Sequence, residues 1–168
     1  VTGVQTCALP ISDASVVKVH WRLALIDAAG RRTGAVRPPR PGLLADGDLR
    51  RVVLRSRNHA WPPTSANAFR RDALARVAPI PSEFAAGPDK YLAETVAILG
   101  RLRALDDIGT EYRVHATNKY AGTGTTADWA RLQIAVAMVS TRSLRRLAPE
   151  AGLDPAECPD VADLDDPA

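Results

Sequence analysis

The sequence has little lysine, little sulfur and no long apolar run. Its 168 residues include three lysines against nineteen arginines, two cysteines, one methionine and 5% aromatic residues. The cysteines, Cys7 and Cys158, lie near opposite ends, and two cysteines neither build a metal framework nor indicate a disulfide scaffold. No apolar stretch approaches the roughly 18 residues of a membrane-spanning helix. The sequence therefore indicates neither a zinc module nor a disulfide-rich domain nor an integral membrane segment.

The charge pattern argues against binding to nucleic acid. Net charge is +3 and the pI is about 9.2, but the basic residues are spread along the chain with acids between them. A nucleic-acid-binding surface usually concentrates its basic charge in one stripe. The acidic C-terminal stretch, residues 160–166, opposes that function further. A content of 46% hydrophobic and 24% charged residues is typical of one globular domain with a single core.

The first eleven residues, VTGVQTCALPI, look foreign to the rest of the chain. They show neither helical nor strand periodicity, and no basic segment precedes an apolar one as in a signal peptide. The string resembles the conceptual translation of a common sequencing-library adapter. We therefore expect residues 1–12 to be a non-native leader, with the true protein beginning upstream.

Residues 13–27 alternate between apolar and polar side chains, which predicts a half-buried β-strand. On this pattern Lys18, His20 and Arg22 face away from the core, and the core side is formed by Val17, Val19, Trp21, Leu23 and Leu25. Residues 33–36 are expected to return as a second short strand. Residues 102–105 and 112–115 predict two further short strands.

Four helices are also expected, and together with the strands they place the chain in the α/β class. Asp46 or Asp48 is predicted to cap a helix that runs to about Arg55. A short helix follows over residues 70–77, and Pro88 begins a third helix that stops at Gly100. Thr126 is expected to cap the last one. The predicted inward residues are Leu49, Val52 and Val53 in the first helix, Leu92, Val96 and Leu99 in the third, and Trp129, Leu132, Val136 and Val139 in the last.

Three segments in order resemble the family-2 glycosyltransferases. They are VVKVHWRLALIDAAGRRTG at 16–34, WPPTSANAFRRDALARVAPIP at 61–81 and DKYLAETVAILGRLRALDDIGTEYRVHATN at 89–118. The second resembles a "PTSGNAF" loop of that family, with Ala66 in place of the expected glycine. The resemblance implies an incomplete GT-A-type, Rossmann-like domain. Residues 13–118 would be its C-terminal half, residues 119–149 a helical extension and residues 150–168 a disordered acidic tail.

The resemblance also implies a reaction and its site residues. Members transfer a sugar from a nucleoside-diphosphate donor to an acceptor hydroxyl with inversion, and an Asp just before a helix acts as the base; the matching residue is Asp89. The acceptor or donor cleft would be lined by Thr64, Ser65, Asn67 and Trp61. Arg113 would bind the substrate, and His115 would contact the metal or the diphosphate. Each also has a purely structural interpretation. Asp89 would be a carboxylate at a helix start, and the side chains of residues 64–67 would hydrogen-bond to the backbone of their own loop. Trp61 would be a buried aromatic residue and His115 a hydrogen-bonded structural histidine.

A divalent metal, Mn²⁺ or Mg²⁺, is expected in the complete enzyme. The Asp-x-Asp motif that would hold it should precede the strand at Val16, and it is absent from this sequence. Asp46-Gly47-Asp48 has the right letters but better explains a helix start, and residues 163–166 lie in the tail. We therefore expect the donor and metal half to lie upstream, so that this chain alone is inactive.

The alternative is a non-catalytic α/β module for binding or regulation. An upstream strand that ends in Asp-x-Asp would favour the enzyme, and a natural start near Asp13 would favour the module. The expected partners of the enzyme are a nucleotide-sugar donor and an unidentified acceptor. The expected location is the cytoplasm, or the inner face of the membrane as a peripheral protein.

Overall fold

A computed structural model describes residues 13–84, 88–114 and 127–161. Its strands are β1 (Val16–Ile26), β2 (Arg32–Arg37), β3 (Asn67–Phe69) and β4 (Arg101–Arg113). Its α-helices are α1 (Arg50–Ser56), α2 (Arg71–Val77), α3 (Pro88–Ala97) and α4 (Ala127–Leu147). Short 3₁₀ turns cover Thr64–Ala66, Ser82–Phe84, Pro149–Ala151 and Pro155–Glu157. The predicted α/β class is confirmed, and Pro88 is the first residue of α3 as expected.

Strand β1 is the centre of a mixed sheet. It pairs with β4 in parallel along its whole length, and with β2 and β3 in antiparallel fashion. Since β3 pairs with residues 18–20 of β1 and β2 with residues 23–26, these two short strands share one edge and β4 occupies the other. The other three strands of the sheet all pair with β1.

The expectation that β1 is half-buried is wrong. Val19 and Leu23 are fully buried, but so are Lys18 and His20 on the face that the alternation assigned to solvent. The sheet has material on both faces, because Ala45, His59 and α3 lie on the side that carries Lys18 and His20. Polar residues at alternate positions of a strand indicate a solvent-facing side only when one face of the sheet is exposed to water.

The apolar core lies between helices α2, α3 and α4. Tyr91 packs its ring 4.9 Å from that of Phe84, and its hydroxyl donates to the carbonyl of Val77 at 2.9 Å. Leu144 and Leu147 of α4 are fully buried in the same cluster. Of the residues expected to face inward in α4, Val136 does so, whereas Leu132 is 38% exposed. Thr126 and the side chain of Trp129 lie outside the described residues.

Helix α1 begins two residues after Asp48, whose carboxylate accepts from the backbone N–H of Arg50 at 3.2 Å. Val53 is buried as predicted, but Val52 is 44% exposed, and Leu54 is buried in its place. The inward face is thus rotated by about one residue from the predicted one. In a helix of only two turns, three apolar residues in a row leave the facing side undetermined.

Strand β4 is one strand of 13 residues, not the two short strands expected from the sequence. The polar stretch between them stays in the sheet through a bulge, since Trp21 pairs with Leu105 but its neighbour Arg22 pairs with Ile108. Gly109 makes room for the indole of Trp21, because a Cβ at position 109 would lie 2.5 Å from the ring. The Trp21 indole N–H then donates to the Thr110 hydroxyl at 3.1 Å.

Residues 150–161 are ordered on α4 and are not the disordered tail expected for 150–168. Cys158 is fully buried, and its carbonyl accepts from the Arg145 guanidinium at 2.8 Å. Glu157 forms ion pairs with Arg51 and Arg55 of α1. These contacts neutralise an acidic segment that would otherwise stay solvated. Residues 162–168 lie outside the described part of the chain.

Candidate active site

The loop of residues 61–67, called the proline loop below, is folded by its own asparagine. The Asn67 side-chain amide donates to the carbonyls of Pro62 and Pro63, at 3.2 and 2.7 Å. The 3₁₀ turn Thr64–Ala66 follows, and β3 starts at Asn67. Asn67 therefore has the structural role that self-bonding predicted, while its Oδ1 is buried and makes no hydrogen bond to any described residue. The same side chain thus retains one acceptor atom for further use.

Thr64 and Ser65 lie at the exposed tip of the proline loop. The Ser65 carbonyl accepts from the Thr110 hydroxyl of β4 at 3.4 Å, which ties the tip to the far side of the sheet. Ala66 is fully buried and has no positive φ, so its backbone does not require the glycine of the family pattern. The two exposed hydroxyl groups are free of side-chain hydrogen bonds within the described residues, and they are the ones available to a ligand.

Asp89 is the second residue of α3 and is half-buried. Its Oδ1 accepts from the backbone N–H of Lys90 at 3.1 Å. It makes no ion pair with any residue in the described ranges, so no arginine or lysine neutralises it there. A carboxylate at a helix start that lacks a side-chain partner can accept a proton from a bound hydroxyl group.

The structure does not join all of the predicted site residues. No hydrogen bond links Asp89 to the proline loop in the part of the chain that is described. Trp61 is half-buried, which agrees equally with packing and with sugar stacking. His115 lies outside the described residues.

Arg113 holds the turn between β1 and β2. Its guanidinium donates to the carbonyls of Asp27 and Ala28, at 3.3 and 2.8 Å. Gly30 lies in the same turn, where a Cβ would approach that guanidinium to 3.6 Å. These contacts give Arg113 a structural role at the end of the sheet, beside the substrate-binding role expected from the sequence.

A buried polar cluster next to the loop was missed by the sequence analysis. Lys18 and His20 of β1 are fully buried, and Glu94 of α3 is 1% exposed. The ring nitrogens of His59, two residues before Trp61, are also buried. Lys18, His20, His59 and Glu94 are called the polar cluster below. Two ionisable residues at alternate positions of an otherwise apolar strand were the available signal.

Hydrogen bonding leaves each member of the polar cluster partly unpaired. His20 Nε2 donates to the Ala45 carbonyl at 2.7 Å, which leaves Nδ1 as a bare acceptor. Glu94 Oε1 pairs with Lys90 Nζ at 2.6 Å, and its Oε2 is unpaired. Lys18 Nζ lies 5.8 Å from the centre of the Phe69 ring and forms no hydrogen bond with the described residues.

Burial shifts the protonation of these groups towards the neutral forms. It lowers the pKa of Lys18 from 10.5 to about 7. Burial, followed by the positive charge of Lys18, lowers the pKa of His20 to about 4, against the opposing effect of the Ala45 carbonyl. The pKa of His59 is lowered by the same two causes, although the backbone of Arg57 and Ala93 and the charge of Glu94 oppose the change. The two histidines are therefore uncharged near neutral pH, and Lys18 gains or loses its charge in that same pH range.

The described residues contain no group of three or more His, Cys, Asp or Glu side chains placed to hold a metal ion. Asp46 instead accepts from the backbone N–H of Ala104 at 2.8 Å, and Asp48 pairs with Arg50 at 2.6 Å. Asp46 therefore has its partner on β4, and Asp48 has its partner in its own segment. Among the described helices, none has the length and apolarity needed to cross a bilayer.

Comparison with known proteins links the chain to glycosyltransferases. It is 31% identical over 132 residues to a protein of Nostoc sp. described as an uncharacterized glycosyltransferase. The match covers 76% of this chain and 40% of the relative, so the chain spans about two fifths of that protein's length. No protein-family model and no solved structure gives a significant match. The chain is thus related to a protein of the glycosyltransferase class.

Proposed function

We propose that the chain is part of a family-2-like glycosyltransferase with a GT-A fold, which transfers a sugar with inversion from a nucleoside-diphosphate donor. The observation that carries this proposal is the similarity to the Nostoc glycosyltransferase over most of the chain. The mixed sheet around β1 and the three ordered segments at 16–34, 61–81 and 89–118 support it. A cytoplasmic location, or a peripheral one at the inner face of the membrane, is part of the same proposal.

Asp89 is the proposed base. It would take the proton from the acceptor hydroxyl while that oxygen attacks the anomeric carbon, and the bond from that carbon to the nucleoside diphosphate would break on the opposite face. The attack from behind inverts the anomeric centre, and the diphosphate leaves with the bonding electron pair. Asp89 suits this role because its carboxylate is half-buried and free of ion pairs with the described residues.

The exposed tip of the proline loop is proposed to hold the acceptor. Thr64 and Ser65 offer hydroxyl groups to a polyhydroxylated ligand, and Trp61 offers an aromatic face to a sugar ring. A divalent cation, Mn²⁺ or Mg²⁺, would stabilise the departing diphosphate. Its ligands are not among the described residues, so they would come from other parts of the complete protein or from His115.

The test compares two aspartates that share a local geometry. Asp72 is the second residue of α2, as Asp89 is of α3, and each accepts from the next backbone N–H. In the protein made from its complete natural coding sequence, Asp89→Asn is expected to lower turnover by roughly 100-fold or more, the usual scale for loss of a general base. Asp72→Asn should leave turnover near that of the wild type.

Turnover is measured as release of nucleoside diphosphate from a panel of nucleotide sugars, with circular dichroism as the check on folding. Wild-type turnover in Asp89→Asn would remove Asp89 from the mechanism. No binding and no turnover of any nucleotide sugar by the wild-type protein would overturn the proposed function itself.

A further inference from the structure

The polar cluster is in contact with each segment of the candidate site. In the β1–β3 ladder His20 pairs with Asn67 and Lys18 with Phe69, so both lie directly beside the end of the proline loop. His59 precedes Trp61 by two residues, and Glu94 lies on the same helix as Asp89. The cluster therefore lies where the loop, the central strand and α3 meet.

Electrostatic coupling shows that the four side chains act on one another. The charge of Lys18 lowers the pKa of both His20 and His59, and the charge of Glu94 raises that of His59. From the neighbouring elements, Asp46 faces His20 and Lys90 pairs with Glu94. A change of charge on Lys18 is therefore felt by both histidines, and a change of charge on Glu94 is felt by His59.

Unpaired buried atoms make this arrangement sensitive to one proton. Lys18 Nζ, His20 Nδ1 and Glu94 Oε2 are buried and make no hydrogen bond with the described residues. A buried polar group without a partner is costly, and a buried charge without one is more so. When Lys18 is protonated, its ammonium group needs acceptors, and the unpaired buried acceptor atoms belong to β1, the proline loop and α3.

We propose that Lys18, His20, His59 and Glu94 are positioning residues whose protonation sets the placement of the proline loop against α3. With Lys18 neutral, the end of the loop stays beside Lys18 and His20, as in the β1–β3 ladder. With Lys18 charged, the ammonium group draws on Glu94 Oε2, His20 Nδ1 or Asn67 Oδ1, and the loop loosens. The proposal rests on the proposed function only in treating that loop as part of the site.

Hydrogen exchange of residues 58–69 tests the proposal on the chain itself, without any substrate. Between about pH 8.5 and about pH 6, after correction for intrinsic exchange, the wild-type loop should lose protection by on the order of tenfold, because this interval spans the pKa of Lys18. Residues 140–148, at the buried end of α4, are the internal reference and should change little.

Two matched substitutions separate Lys18 from a general effect of losing a lysine. Lys18→Met should abolish the pH step in the loop. Lys90→Met removes the partner of Glu94, so it should lower protection at every pH while the step remains. An equal step in Lys18→Met, or none in the wild type, would overturn the proposal. If Lys18→Met does not fold, the wild-type step against the α4 reference still decides, and neither outcome depends on whether the protein transfers a sugar.

Discussion

The buried core of this protein has one side made of apolar residues and one side that contains polar residues. Between α2, α3 and α4 the core is apolar, with Val77, Phe84, Leu144 and Leu147 fully or almost fully buried. Against β1, α3 and the proline loop it contains the polar cluster, in which Lys18, His20 and Glu94 are buried equally deeply but with several unpaired polar atoms. Helix α3 contributes to both, with Tyr91 and Val96 on the apolar side and Glu94 on the polar side.

This difference separates what stabilises the fold from what positions the site. Burial of the apolar region contributes favourable free energy of about 25 cal/mol per Å². Burial of ionisable groups without partners costs free energy, and a protein retains such groups mostly where function requires them. The proline loop and the start of α3 lie on the side of the polar cluster, and the resemblance assigns that loop to the acceptor or donor cleft.

The largest expected change comes from replacing the buried lysine. Because burial lowers the pKa of Lys18 from 10.5 to about 7, its full cost to stability approaches about 5 kcal/mol, taking about 1.4 kcal/mol per pKa unit as the conversion. Lys18→Met keeps the length and removes the titrating group. At neutral pH it should raise the free energy of unfolding by several kcal/mol at most. Urea denaturation checks this, and a destabilised Lys18→Met would mean that the lysine has an unrecognised partner.

The sign of the pH dependence follows from the same pKa. Between pH 7 and pH 10.5 the unfolded chain binds more protons at Lys18 than the folded chain, so stability should rise with pH across that window. His20, with its pKa lowered from 6.5 to about 4, adds a second loss as pH falls through that lower window. Lys18→Met should flatten the first window and leave the second.

The apolar side should respond in the opposite direction. Leu144→Ala removes a fully buried side chain from between α3 and α4 and should cost about 2–5 kcal/mol through lost burial and a residual cavity. Leu132→Ala on the same helix is the matched control, because Leu132 is 38% exposed. Urea denaturation of both variants is the measurement. Equal effects would mean that the N-terminal half of α4 is buried by contacts not described above.

The sequence predicted the positions of strands and helices better than it predicted which of their residues are buried. Strand β1, helix α2 and the start of α3 at Pro88 follow from local signals: alternation, an apolar pattern and a proline in the first turn. The burial of Lys18 and His20 did not follow, because alternation assigns faces but not what covers them. That cover comes from residues 45–59 and from α3, which are distant in sequence.

Contacts between residues distant in sequence also determine the structure of β4 and of residues 150–161. The polar run at 106–109 resembles a loop, yet it stays in the sheet because the bulge opposite Trp21 and the space at Gly109 accommodate it. Residues 150–161 are polar enough to stay solvated, but Cys158 and Glu157 fix them to α4 and α1. For the candidate site, the proline loop and Asp89 were predicted from the sequence, and the polar cluster was not.

The smallest expected change compares the helix starts on the two sides. On the apolar side, the exposed Asp72 carboxylate accepts two hydrogen bonds from the Arg70 guanidinium, at 3.0 and 2.7 Å. Within the described residues, Asp89 accepts only from the Lys90 backbone N–H. Asp72→Asn should therefore lower the Tm slightly, and Asp89→Asn should leave it unchanged, because an amide oxygen can still accept from the backbone. An exposed ion pair is screened by salt, so the difference between the two variants should disappear in about 1 M salt. A clear loss of Tm in Asp89→Asn at either salt concentration would show that the Asp89 carboxylate stabilises the fold, which would weaken its assignment as a carboxylate available to an acceptor hydroxyl.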